Sequence, residues 1–161
     1  MLKNFEMIYI SPIGPIGVNL DEDKICELKF IKKVKSRKSS KKICKDLSKQ
    51  LDLYFKKKLN KFNLPYILYG SEYQKLVLNH VLNISYGNTL CYSDIAKKLN
   101  SHPRPVGNAC RNNPLQLLIP CHRVIGKNNI GGYSGEGVKN SGNFIFIKKI
   151  LLDLEKSFSI V

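Results

Sequence analysis

The residues best suited to chemistry lie in the segment IPCHRV at positions 119–124, where a thiol, an imidazole and a guanidinium follow a proline. A free thiol has a pKa of about 8.5, so a nucleophilic cysteine needs a base or a positive field beside it. His122 and Arg123 would supply both to Cys121. A cysteine followed by histidine is more often a buried structural thiol beside a surface residue. The rest of the sequence must therefore decide between a reactive and a structural Cys121.

The charge balance is strongly basic and points to a polyanionic partner. Lysine and arginine outnumber the acidic residues 27 to 12, which gives a net charge of +15 and a pI of about 9.7. Such a balance favours binding to nucleic acid or to an anionic membrane surface. A lysine-rich composition with no polyanionic partner is the alternative. Arg104, Arg111 and Arg123 are three of only four arginines, and they cluster close to Cys121 in the sequence.

The cysteine pattern predicts free thiols in a reducing compartment. The chain has five cysteines, an odd number, and no C-x-x-C pair. There is no signal peptide and no apolar run long enough to span a bilayer, so we expect a cytoplasmic protein. Three histidines without paired cysteines give no pattern of a structural zinc site, and we expect no metal and no cofactor.

The first half of the chain reads as a small mixed α/β domain. Apolar runs separated by turn residues predict strands at 5–10, 16–20 and 25–31, the last two forming a hairpin. A helix is predicted from Lys41, because apolar residues then recur at every fourth position up to Leu59. Residues 62–69 read as an extended linker. We place the domain boundary there, with an N-terminal domain at 1–68 and a second domain at 69–161.

The second half reads as mostly helical. Ser71 is the predicted N-cap of a helix whose apolar stripe includes His80 and which should end at Gly87. Two short helices at 93–99 and 105–112, joined by a tight turn, indicate a helix-turn-helix. A strand at 115–119 should lead into Cys121, followed by a loop at 131–135 and an amphipathic helix at 144–156.

The motifs of the second half, in their order, resemble those of the alkylguanine–DNA alkyltransferases. The resemblance covers residues 71–155 and rests on five segments: YSDIA (92–96), PRPVGNA (103–109), RNNP (111–114), PCHRVIG (120–126) and GYSG (132–135). The first half matches weakly, mainly through SPIG at 11–14. The family implies a small N-terminal mixed α/β domain followed by a helical, winged-helix-like domain with a helix-turn-helix.

The resemblance also implies the activity. These proteins transfer an alkyl group from the 6-oxygen of guanine in DNA to their own cysteine; whether the 4-oxygen of thymine is a second substrate is left open by the sequence. The expected partner is double-stranded DNA containing alkylated guanine, bound by a monomer. A thioether is a poor leaving group, so each molecule would react once, irreversibly.

Catalytic roles follow from the resemblance residue by residue. Cys121 resembles the alkyl acceptor, and His122 resembles the base that deprotonates it through a water. Glu155 resembles the carboxylate that orients the histidine. Asn113 resembles the hinge that ties the DNA-binding helices to the active-site segment. Such a relay follows the logic of a catalytic triad with one water inserted.

DNA-binding roles are implied for five further residues. Tyr92 resembles the residue that crowds the phosphate and reaches the base, and Arg104 resembles the finger that enters the stack. Tyr133 and Ser134 resemble the pocket loop. The backbone carbonyl of Val124 would accept from the guanine amino group.

Other features add expectations of their own. Phosphate contacts from Arg111 and the lysines predict DNA binding that depends on salt and little on sequence. Gln116 stands where relatives often carry a proline of the alkyl pocket, which predicts poor reaction with bulky groups such as benzyl. Residues 136–143 look inserted.

Three alternative functions compete with repair. A non-catalytic binder of alkylated DNA would lack the cysteine that this chain keeps. A winged-helix regulator with Cys121 as a redox sensor would leave Tyr133 and Ser134 without a role. A cysteine hydrolase would need an oxyanion loop, and none is recognisable in the sequence.

Overall fold

The first half of the molecule is a three-stranded antiparallel sheet covered by one helix. The computed structural model describes residues 4–32, 34–137 and 143–156. In this half it contains β1 (Met7–Ser11), β2 (Gly14–Asp21), β3 (Lys24–Phe30) and α1 (Lys42–Phe55), with the sheet order β1-β2-β3.

Buried apolar pairs across neighbouring strands explain this sheet. Ile16 and Val18 of β2 are fully buried, and they lie opposite the buried Phe30 and Leu28 of β3. Helix α1 buries Leu47 and Leu51 against the core. The three strands and the start of this helix agree with the sequence prediction, but the helix ends at Phe55, before Leu59.

The second half contains the remaining elements. These are α2 (Glu72–Leu82), β4 (Leu90–Cys91), α3 (Tyr92–Lys98), α4 (Pro103–Arg111), a 3-10 turn (Cys121–Arg123), β5 (Val124–Ile125) and α5 (Asn143–Lys156). Within the described residues, no helix is both long and apolar enough to cross a membrane.

Helix α2 starts where the sequence predicts and ends earlier. The Ser71 hydroxyl accepts a hydrogen bond from the Gln74 amide at 3.2 Å, as expected of an N-cap. The helix stops at Leu82, and Gly87, with φ of 80°, belongs to the turn that follows. Leu76 is 53% exposed and lies outside the buried face of this helix, which consists of Val77, Leu78 and Val81.

The predicted strand at 115–119 is wrong, because this segment folds back as a turn. The Asn113 side chain accepts from the Leu115 amide and donates to the Ile119 carbonyl, both at 2.9 Å, which closes the segment on itself. Leu117 has a positive φ of 69°, which a strand does not allow. Only Leu115 forms a β-bridge, to Leu28 of β3.

Gln116 connects the two halves and does not line the alkyl pocket as predicted. Its side-chain oxygen accepts from the Phe30 amide at 2.9 Å, and its own amide donates to the Leu28 carbonyl at 2.7 Å. The side chain is thus directed into the N-terminal sheet, where the Phe30 N–H needs an acceptor. Buried side chains of both halves form one continuous core.

Candidate active site

Cys121 lies at the bottom of a cavity between the α3–α4 pair and the loop before α5. The thiol is 4% exposed and begins the 3-10 turn. The cavity has a volume of about 420 Å³ and is lined by Tyr92, Pro103, Arg104, Gly107, Cys110, Arg111, Cys121, Gly132, Tyr133, Gly135, Glu136 and Gly137. Five of the site residues named from the sequence therefore meet in one place.

Two parallel chain segments hold Tyr92 against this cavity. Strand β4, which runs directly into α3, pairs with β5 directly after the 3-10 turn, so Tyr92 and Cys121 are fixed to the same two-stranded unit. Gly131 packs against the Tyr92 ring with a positive φ of 77°, and a Cβ there would lie 2.8 Å from the ring. Glycine is needed at 131 because any side chain would displace Tyr92.

The thiol is buried beside two groups that favour its anion. Burial raises the pKa of Cys121, while hydrogen bonding from Asn113 and the positive charge of Lys148 act in the opposite direction. Cys121 is consequently a thiol at rest, and a base must remove its proton when it reacts.

A buried histidine stands directly next to it in the chain. The His122 Nε2 lies 2.7 Å from the Glu155 Oε1, and both side chains are almost completely buried. Burial lowers the pKa of His122 and outweighs the raising effect of Glu155, so the ring is neutral. Its Nδ1 has no hydrogen-bond partner among the described residues. With Nε2–H donated to Glu155, this Nδ1 is the free acceptor of the ring.

Arg123 completes the group around Glu155, a role that the sequence analysis missed. Its Nε donates to Glu155 Oε2 at 2.8 Å, and its two terminal nitrogens donate to Glu155 Oε1 at 3.0 Å and to the Ile84 carbonyl at 2.6 Å. Burial would raise the pKa of Glu155, but the hydrogen bonds from His122 and Arg123 hold it well below its usual value. Arg123 therefore faces inward and is not part of the exposed basic surface.

Lys148 is a second buried cation that sequence reasoning missed. Its Nζ donates to the Val124 carbonyl at 2.6 Å and to the Gly132 carbonyl at 2.9 Å, and lies 5.7 Å from the centre of the Tyr92 ring. Burial lowers its pKa to about 8. The signal in the sequence was its spacing, since positions 148 and 155 lie on the apolar face of α5.

The remaining predicted residues have different positions. Arg104 and Arg111 are exposed at the mouth of the cavity. The Val124 carbonyl, expected to bind guanine, already accepts from Lys148 and retains one further lone pair. Ser134 occupies the turn after Tyr133 with a φ of 50° and is not among the residues that line the cavity. Of the segment expected to be inserted, residues 138–142 lie outside the described residues.

Both halves of the chain match domain profiles of one known protein family. Residues 4–67 match the profile of the 6-O-methylguanine DNA methyltransferase ribonuclease-like domain. Residues 72–157 match the profile of the 6-O-methylguanine DNA methyltransferase DNA binding domain.

Individual relatives agree with these profiles. The chain is 44% identical over 113 residues to a methylated-DNA–protein-cysteine methyltransferase of Archaeoglobus fulgidus, covering 70% of this chain and 76% of that protein. It is 37% identical to the protein of the same name from Metallosphaera sedula over 92% and 91% of the two chains. The crystal structure of Mycobacterium tuberculosis O6-methylguanine methyltransferase superposes with a TM-score of 0.80 at 30% identity, covering 93% of this chain and 91% of the other. The M. tuberculosis protein has also been solved in complex with DNA.

Proposed function

This chain belongs to the 6-O-methylguanine DNA methyltransferase family, and we propose that it repairs DNA by transferring an alkyl group from the 6-oxygen of guanine to Cys121. The observation that carries this proposal is a thiol at the bottom of a cavity whose neighbouring histidine is held by a buried carboxylate. Transfer of a methyl group from DNA to a protein cysteine is the activity that the names of the relatives state.

In the proposed reaction, His122 Nδ1 accepts the proton of the Cys121 thiol through a bridging water. The thiolate then attacks the alkyl carbon in line with the carbon–oxygen bond, and that bond's electron pair leaves with the guanine. A new sulfur–carbon bond forms as the carbon–oxygen bond breaks. Glu155 stabilises the imidazolium that results, as in a catalytic triad. The product is a thioether, which does not leave, so the protein reacts once.

The departing guanine needs a proton, and Tyr92 is the proposed donor. It lines the cavity, and burial raises the pKa of its hydroxyl, so the proton is present at neutral pH. The neighbouring Lys148 lies over its ring, close enough to stabilise negative charge that develops on the oxygen.

The alkylated base must leave the helix stack to reach Cys121, because the 6-oxygen is inaccessible inside a duplex. We assign α3 and α4, with the turn at 99–102, as the helix-turn-helix of a winged-helix-like domain. Arg104, in the first turn of α4 and exposed at the cavity mouth, is placed to fill the gap left by the base. The Gly107 backbone allows close approach to the DNA, and Arg111 supplies a phosphate contact.

We also propose the division into domains at 1–68 and 69–161, acting together as a monomer on double-stranded DNA. The two profile matches end and begin on either side of this boundary, between α1 and α2. The N-terminal domain contributes no residue to the lining of the cavity as described.

Intact-mass spectrometry tests the function directly. The protein is mixed with duplex DNA containing O6-methylguanine, and a second sample receives O4-methylthymine. We expect one methyl group per molecule, located on Cys121 and absent from Cys121→Ala. Cys110→Ala is the matched control, because Cys110 lines the same cavity and should be dispensable. Binding without any adduct would support the non-catalytic binder, and repeated turnover would contradict the proposal.

A further inference from the structure

A tyrosine of the N-terminal half reaches the carboxylate behind the candidate base. The Tyr54 hydroxyl, near the C-terminal end of α1, donates to the Glu155 Oε1 at 2.7 Å across 101 positions of sequence. Tyr54 is 1% exposed, so its hydroxyl has no access to bulk water. A buried hydroxyl that donates to a buried carboxylate is a strong, charge-assisted contact.

The Tyr54 contact is one of four hydrogen bonds that hold the Glu155 carboxylate in place. Glu155 Oε1 accepts from Tyr54, from His122 and from Arg123, while Oε2 accepts from Arg123. The Tyr54 ring is fixed by Phe55, Phe62 and Tyr86, at centroid distances of 5.2, 5.3 and 6.2 Å. The three partners of this carboxylate of α5 thus come from two other elements, Tyr54 from α1 and His122 and Arg123 from the 3-10 turn.

We propose that Tyr54 is a positioning residue of the alkyl-transfer site, through which the N-terminal domain fixes the Glu155 carboxylate and thereby the His122 ring. This rests on the proposed function, because it assumes that His122 is the base. It gives the N-terminal domain a part in the chemistry although none of its residues lines the cavity.

The hydroxyl also sets how strongly Glu155 attracts a proton onto His122. The charged and titratable groups that face His122 are Glu155 and Lys148 from α5, its chain neighbours Cys121 and Arg123, and Tyr54, through Glu155, from α1. A carboxylate that accepts one bond fewer concentrates its charge on the remaining donors. Loss of the Tyr54 hydroxyl should therefore make His122 easier to protonate and inactive as a base up to a higher pH.

The test is Tyr54→Phe, which removes one oxygen and keeps the aromatic packing. Single-turnover methyl transfer from duplex DNA containing O6-methylguanine is followed from pH 5.5 to 9, alongside DNA affinity and thermal stability. We expect the acidic limb of the rate profile to move up by about half a pH unit. The rate at neutral pH should fall about 3- to 10-fold, with DNA affinity unchanged within about twofold.

Tyr73→Phe is the matched control, since its hydroxyl bonds Ser101 at 2.7 Å, away from Glu155. It should leave the pH profile in place even if it lowers stability. A second comparison places Tyr54→Phe in a Glu155→Gln background, where it should cause less than about a twofold further change, because both act through one carboxylate.

The outcomes separate this inference from the proposed function. If the wild type gains no methyl group, the proposed function fails. If the wild type is methylated but Tyr54→Phe keeps the wild-type rate and pH profile, only the role of Tyr54 fails. Equal effects of Tyr54→Phe with and without Glu155 would likewise overturn it.

Discussion

Arg123→Ala should destabilise the protein strongly without weakening its contacts to DNA phosphates. Sequence position suggests the opposite, since Arg123 follows Cys121 and His122 within a basic cluster. In the structure its guanidinium is 7% exposed and makes two hydrogen bonds to Glu155 and one to the Ile84 carbonyl.

The magnitude follows from what the substitution leaves behind. Glu155 is 1% exposed, so without Arg123 its negative charge stays buried with only Tyr54 and His122 as donors. Removing one partner of a buried ion pair costs about 3–5 kcal/mol, because the other charge is left uncompensated. For a chain of this length that corresponds to a decrease in Tm of roughly 6–20 °C.

The loss of stability caused by Arg123→Ala should also depend on pH. The positive charge of Arg123 is one of the influences that lower the pKa of His122, so its removal raises that pKa. Below the raised pKa, an imidazolium can replace the guanidinium beside Glu155. Stability gained in this way is present at low pH and lost as pH rises through the folded-state pKa, so the destabilisation is smaller near pH 5.5 than near pH 8.

Urea unfolding at both pH values and DNA titrations over a range of salt concentrations provide the measurements. Arg111→Ala is the matched control: being exposed, it should change the free energy of unfolding by less than about 0.5 kcal/mol. It should reduce the salt slope of binding by about one, which Arg123→Ala should not do. A loss below about 1 kcal/mol for Arg123→Ala, or a reduced salt slope, would refute the reasoning.

Four further predictions follow from the same contacts. Arg104→Ala should slow repair of duplex DNA at least about tenfold more than reaction with the free alkylated base, and equal losses would assign Arg104 to the pocket. Gln116→Leu should cost about 1–3 kcal/mol in urea unfolding, because the buried Phe30 amide loses its acceptor, and should leave the ratio of benzyl to methyl transfer rates unchanged. DNA affinity measured on unrelated duplexes should fall similarly with salt, with a slope of roughly −0.9 per phosphate contact; a salt-independent affinity would contradict the role of the +15 charge. Because the folded-state pKa of Glu155 lies below its ordinary 4.5, the unfolded state binds more protons, so stability should decrease as pH falls below about 4.5. Glu155→Gln should lack that part of the acid loss.

The sequence predicted elements whose determinants are local. The apolar run of β2 between turn residues, the four-residue spacing of α1 and the cap at Ser71 all depend on nearby residues, and each is present in the structure. The apolar run at 115–119 could not be assigned in this way, because a short apolar run fits a strand and a buried turn equally well. Hydrogen bonds of the Asn113 side chain decide for the turn.

The candidate site likewise contains residues that the sequence identified and residues that it did not. Motif resemblance named Cys121, His122 and Glu155, and the structure brings the last two into direct contact across 33 positions. Whether a charged side chain points inward or outward depends on segments far away in the sequence, so the local pattern does not reveal it. Arg123 and Lys148 are buried because other segments supply acceptors for their charged groups. Arg123 donates to the Glu155 carboxylate. Lys148 donates to the carbonyls of Val124 and Gly132.

The two buried cations have a consequence for a protein that can react only once. Burial raises the pKa of Cys121 and lowers that of His122, so the resting pair is a neutral thiol beside a neutral imidazole. A thiol in this form is a poor nucleophile toward oxidants and chance electrophiles. Lys148 favours the thiolate, and Arg123 keeps Glu155 ionised, ready for the imidazolium of the proposed reaction. The charges that stabilise the reactive state are thus built in before DNA arrives, and only the proton remains to be moved. Such preorganisation costs nothing at the moment of reaction.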